Sequence, residues 1–189
     1  MITSNSMVET LTDLVARLDD LGIAYMVTGS FAMSCYATAR MTLDIDVILE
    51  IGSSDAVRFA KRFVGDYYVD SASIDRAIIG NSMFNVISNI NGVKVDCIVR
   101  KPNAFEKAKF ERRRLCEIDG LPCWVISKED LIISKLAWAK DSLSEKQLLD
   151  IRNLVESGIE SSFLSEWIVR LELQETWDAF EKWKIQLAK

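Results

Sequence analysis

The chain has 189 residues, a formal net charge of −5 and no histidine. Without histidine, Ser-His and Cys-His nucleophilic catalysis and histidine-bound metals are excluded; a general base has to be a carboxylate or lysine, and a metal site has to use oxygen ligands suited to Mg²⁺, Mn²⁺ or Ca²⁺. The negative balance argues against a whole-molecule polyanion binder, and no apolar run reaches the roughly 18 residues a membrane span requires.

The first residues, MITSNSMVETL, do not read as a signal peptide. Cys35, Cys97, Cys116 and Cys123 are scattered with no CxxC pair, which predicts reduced thiols in a cytoplasmic protein. In chain order, Ser6-x-x-Glu9 forms a capping box, and Val8, Leu11, Val15 and Leu18 recur at helical spacing, predicting a helix over 6–21 that stops at Gly22. Ile23 to Thr28 predicts a buried strand, Gly29-Ser30 a turn, and Ser30 the cap of a short helix reaching Tyr36 or Ala37. Asp44 to Leu49 is a second strand. A helix opened by Ser53 or Ser54 carries Phe59, Ala60, Phe63 and Val64 on one side. Phe84 to Ile90 and Val93 to Val99 read as strands paired across Asn91-Gly92, a strong hairpin signal. A second hairpin is expected around Asp119-Gly120. Pro102, Ser127-x-x-Asp130 and Ser144-x-x-Gln147 each open a helical segment, and the helical pattern runs on through Trp167, Trp177 and Leu187. The expected organisation is an α/β core over 1–126 and a helical part over 127–189.

Asp44-Ile45-Asp46 carries most chemical information. Alternate residues of a strand share a face, so both carboxylates point one way, about 7 Å apart at Cα, while Ile45 and Val47 enter a core. Two carboxylates side by side repel unless a positive charge lies between them, and Mg²⁺ takes one or two carboxylates plus phosphates and water. The bland alternative is a solvated strand edge. Asp96 lies in Lys94-Val95-Asp96-Cys97-Ile98, an acid in an otherwise apolar strand that needs a partner or a metal; the alternative is an edge-strand charge. Gly29-Ser30 lets backbone approach a phosphate closely, although an ordinary turn has the same composition. No Walker P-loop and no calcium loop of the EF-hand type is present.

The order strand-Gly29-Ser30-helix, Arg40-x-Thr42, Asp44-Ile45-Asp46 and Asp96 on a later strand resembles the signature of the DNA polymerase β-like nucleotidyltransferase superfamily. Within it the chain is most similar to the AbiEii-like enzymes of toxin–antitoxin and phage-defence systems. Asp130-Leu-Ile-Ile-Ser-Lys135-Leu and Ser144-Glu-Lys-Gln-Leu-Leu-Asp150-Ile look like their downstream lysine and aspartate motifs. The resemblance implies a mixed β-sheet flanked by helices with a C-terminal helical part. It also implies NTP binding, ATP among the candidates, with Mg²⁺ or Mn²⁺ held by Asp44, Asp46 and Asp96. Gly29, Ser30, Arg40, Thr42, Lys135 and Asp150 would line the nucleotide, and Lys135 would count with the three acids as catalytic. Bland readings stand beside the last two: a snorkelling lysine and an exposed helix acid.

The run from Lys107 to Arg114 is interrupted by Glu111 and reads as a solvated helix face before an RNA contact. Three functional readings stay open. One is a toxin-like enzyme acting on RNA or protein, with a possible cognate antitoxin. Another is an enzyme modifying a small molecule such as an antibiotic hydroxyl. The last is a catalytically silent nucleotide-binding or antitoxin-like partner.

Overall fold

A computed structural model describes residues 3–38 and 42–187. The chain divides into two compact units: Met1–Cys35 with Met41–Ile126, and Tyr36–Arg40 with Ser127–Lys189.

The first unit opens with helix α1 (Ser4–Leu21). It starts before the expected capping box, because the Thr3 side chain caps it by accepting from the Ser6 N–H. Glu9 instead accepts from Asn5 Nδ2 at 2.6 Å. Strand β1 (Tyr25–Thr28) leads directly into the one-turn helix α2 (Gly29–Ala32), extended by a 3₁₀ turn at Met33–Cys35. Thr28, not Ser30, stands at its N-cap, with no side-chain capping bond. Then follow β2 (Asp44–Leu49), α3 (Ala56–Phe63), β3 (Tyr67–Val69), α4 (Ser71–Gly80), β4 (Met83–Ser88), β5 (Lys94–Val99), α5 (Ala104–Glu111), β6 (Arg114–Ile118) and β7 (Leu121–Val125). The short β3 and α4 carry no clear sequence signal. Asp70 caps α4 through the Ala72 and Ser73 amides.

The seven strands form one mixed sheet in the order β3-β4-β5-β2-β1-β7-β6. Its centre is the parallel pair β2–β5, flanked by antiparallel β1 and β4. One face is apolar: Ile45, Val47, Val95 and Cys97 are fully buried. Phe84 pairs in register with Cys97, and Phe59 of α3 meets it edge-on with ring centroids 5.3 Å apart, so α3 covers this face. The face bearing Asp44, Asp46 and Asp96 is the opposite one, as strand alternation demands.

The β4–β5 turn is longer than Asn91-Gly92 alone suggests. The strands close at Ser88, whose N–H donates to Val93 O at 2.9 Å, leaving residues 89–92 as the turn. Asn91 is engaged elsewhere: its Nδ2 donates to Ser6 O and Thr10 Oγ1 on α1 at 3.2 and 3.0 Å. The longer turn shifts the register by two residues, preserving which face each residue takes but changing its partner.

All four cysteines are free thiols. Cys116 and Cys123 are cross-strand partners and the Cys35 and Cys116 thiols are hydrogen-bonded, so three thiols scattered in sequence gather in space. Burial pushes Cys35 up to about 12 and Cys123 up to about 11, keeping both protonated. The basic run is divided between α5 and β6; Lys109 is buried against Glu106, and Arg113 stacks on Phe110 and Trp124.

The second unit contains α6 (Lys128–Ala139), α7 (Glu145–Glu156), α8 (Ser161–Arg170) and α9 (Gln174–Leu187). Ile132, Leu136, Ile151, Leu154, Ile168 and Phe180 are buried in it. No helix among the described residues is long and apolar enough to cross a membrane.

Candidate active site

The site is built on strand register. Asp46 pairs with Thr28 on one side and with Asp96 on the other, and Asp96 pairs with Asn85. A polar row Thr28–Asp46–Asp96–Asn85 thus crosses four strands on the face opposite the apolar one. The next row places Asp44 beside Lys94. The structure therefore brings Asp44, Asp46 and Asp96 to one patch at the parallel centre of the sheet.

Gly29 closes this patch from β1. Its φ is +67°, and a Cβ built there would lie 1.9 Å from Asp46 Oδ2 and 2.7 Å from its carboxyl carbon. Only glycine permits that conformation and that approach together. Ser30 follows it and is buried. The Thr42 hydroxyl lies 3.4 Å from both the N and O of Asp44, so it secures the entry to β2. Arg40 lies outside the described residues.

Two contacts at this patch involve residues outside the acidic set, Asn85 and Lys94. Asn85 Nδ2 donates to Asp96 Oδ1. The Lys94 ammonium lies 3.0 Å from Asp96 Oδ2 and 3.5 Å from Asp44 Oδ1. Desolvation works against the Lys94 charge, but the Asp96 and Asp44 carboxylates outweigh it and raise its pKa. The alternation Lys94-Val95-Asp96 was a usable signal for Lys94, since it places both charges on one face. Asn85 was not reachable, because its pairing depends on the length of the following turn.

As the side chains stand, no three acidic or thiol groups among the described residues are gathered closely enough to hold a metal ion. The donor chemistry nevertheless fits one. Three hard carboxylates share a sheet face, and the turn beside Asp46 is kept clear by a glycine whose Cβ would fill the space.

Lys135 and Asp150 lie in the helical unit and meet each other. Lys135 Nζ is 2.7 Å from Asp150 Oδ2, and their side chains are 5% and 1% exposed. Neither bland expectation holds: the lysine does not snorkel, and the acid is not on a solvated helix face.

The family model for nucleotidyltransferases of unknown function (DUF6036) matches residues 5–162. The chain belongs to this family. Solved structures agree at the level of fold. The antibiotic-resistance factor ANT(2'')-Ia in its solution structure aligns over 97% of this chain and 100% of its own, with 14% identity and a TM-score of 0.55. An antigenic nucleotidyltransferase-like protein from Paracoccidioides brasiliensis aligns over 82% of this chain and 77% of its own, with 19% identity and a TM-score of 0.53. No match was found among curated proteins.

Proposed function

We propose that this nucleotidyltransferase moves a nucleoside monophosphate from an NTP to an acceptor hydroxyl, with Asp44, Asp46 and Asp96 as its acidic centre. One observation carries the reading: strand register sets three carboxylates on one face beside a glycine turn that only a missing Cβ allows.

Asp44 and Asp46 would supply oxygen ligands to a metal ion, with Asp96 beside them on the adjoining strand. Mg²⁺ or Mn²⁺ held there would supply Lewis-acid stabilisation of the triphosphate. Asp96 is the group placed to accept the proton of the attacking hydroxyl. Asn85 fixes its orientation by holding Oδ1, while Oδ2 faces the Lys94 ammonium. The Gly29–Ser30 turn offers backbone to the phosphates, and Thr42 keeps the β2 entry in place. Arg40 stays assigned to phosphate contact by the motif alone. The Lys135–Asp150 pair is assigned no step.

The acceptor divides two readings. The likeness to AbiEii-type enzymes supports RNA or protein, with a toxin-like role and a cognate antitoxin. The end-to-end alignment with an antibiotic-resistance factor supports a small-molecule hydroxyl.

The test is incubation of the protein with each α-³²P-labelled NTP, Mg²⁺ and cell extract, followed by separation of RNA, protein and small metabolites. Label in one fraction identifies the acceptor class. Asp46→Asn keeps the shape of the side chain and removes its charge, so it should lower transfer by ~10²–10³-fold while leaving the melting temperature near wild type. Undiminished transfer by that variant would refute the acidic centre.

A further inference from the structure

We infer that Lys94 is a tethered counter-cation: without a divalent ion its ammonium binds the acidic patch, and a metal ion has to displace it. The inference rests on the proposed metal site and goes further, naming the group that sets how tightly that site takes its metal.

The geometry has three parts. First, the ammonium contacts two different candidate ligands, Asp96 at 3.0 Å and Asp44 at 3.5 Å, on two adjacent strands. Second, the placement follows from the backbone. Lys94 is the register partner of Asp44 and is two residues from Asp96, so the sheet delivers its side chain to the acidic face. Third, the Lys94 side chain is 38% exposed, so it can leave toward water without disturbing the core. A lysine ammonium is a compact charge on a flexible stem and suits a position that must be vacated. A single ammonium brings one positive charge where a divalent ion brings two, so the exchange keeps a driving force.

Displacement breaks two partly exposed ion pairs. Towards the middle of the range for such pairs, their combined loss weakens divalent binding by about tenfold. The test titrates Mn²⁺ into nucleotide-free protein and follows free Mn²⁺ by electron paramagnetic resonance. Lys94→Gln should bind Mn²⁺ about tenfold more tightly than wild type, and Lys94→Arg, which keeps the charge, should stay near wild type. In chelator, Lys94→Gln should melt lower than wild type, and Mn²⁺ should raise its melting temperature by more. Asp46→Asn in either background should abolish the binding. Equal or weaker Mn²⁺ affinity in Lys94→Gln overturns the counter-cation role alone. Absence of Mn²⁺ binding in both wild type and Lys94→Gln, or binding indifferent to Asp46→Asn, overturns it together with the metal-dependent reading.

Discussion

Gly29 and Asp46 depend on one another, and the dependence is measurable. An alanine at position 29 meets two penalties. Its backbone would keep φ near +67°, and its Cβ would fall inside the Asp46 carboxylate. The left-handed conformation alone costs about 1–2 kcal/mol for a residue with a Cβ. Gly29→Ala should therefore lower stability by at least that much in urea denaturation. It should also lower transfer, because Asp46 has to rotate away. Wild-type activity in Gly29→Ala would mean that the Asp46 position is irrelevant to chemistry. The acids and the glycine were legible in the sequence because their spacing, two residues in a strand and one turn after another, is a local property. Asn85 was not, since it acquires meaning only through register, whereas strand alternation already set Lys94 on the face of Asp96.

Helices α6 and α7 are joined by a charge pair inside an apolar interface. Removing one member of a buried pair strips the other of a close counter-charge, at a cost of up to roughly 3–5 kcal/mol, whereas replacing both by apolar groups is often neutral. Lys135→Met should thus destabilise the protein severely in thermal and urea unfolding, and Lys135→Met with Asp150→Leu should recover most of the loss. If the double variant is as unstable as the sum of the single ones, the two residues act separately. The sequence located both helices from Ser127 and Ser144 and set Lys135 on or beside an apolar face, but it did not show that Lys135 and Asp150 meet. Helical spacing places a residue near an apolar face without revealing that a neighbouring helix brings the opposite charge. Elements β3 and α4 escaped for a related reason. Tyr67–Val69 is three residues long, and Ile74 and Ala77 are the only buried positions of α4, too few to set a period. The β4–β5 turn was misjudged because Asn91, a favoured residue for a two-residue turn, bonds to α1 instead.

For the molecule as a whole, acid stability reports on the charge network between α1, α3 and β3. Partial burial pushes the Asp13 carboxyl up, but hydrogen bonds from Arg17 and Tyr67 outweigh it and hold it below its usual value. Arg100 likewise lowers Glu50. Both groups have depressed folded-state pKa values. Their contribution is complete above the ordinary carboxylate pKa, near ~4, and fades as pH falls through the folded values. Urea midpoints should therefore drop below about pH 4, and Asp13→Asn should flatten part of that drop. A midpoint equally pH-dependent in the variant would remove Asp13 from the network. Composition and pattern made the mixed sheet and its flanking helices legible, because strand alternation and helix caps repeat along the whole chain. They could not show that the second unit also takes Tyr36–Arg40, since membership of a compact unit is decided by contacts far apart in sequence. The parallel pairing of β2 with β5 also dictates an order of events in time. Asp96 and Asn85 sit in one hairpin and can meet on the microsecond timescale of local folding. Asp46 joins them only after the intervening α3, β3, α4 and β4 have closed a long loop, a slower, non-local step. A nascent or partly folded chain therefore carries the three acids without bringing them together, and the proposed centre exists only once the sheet is complete.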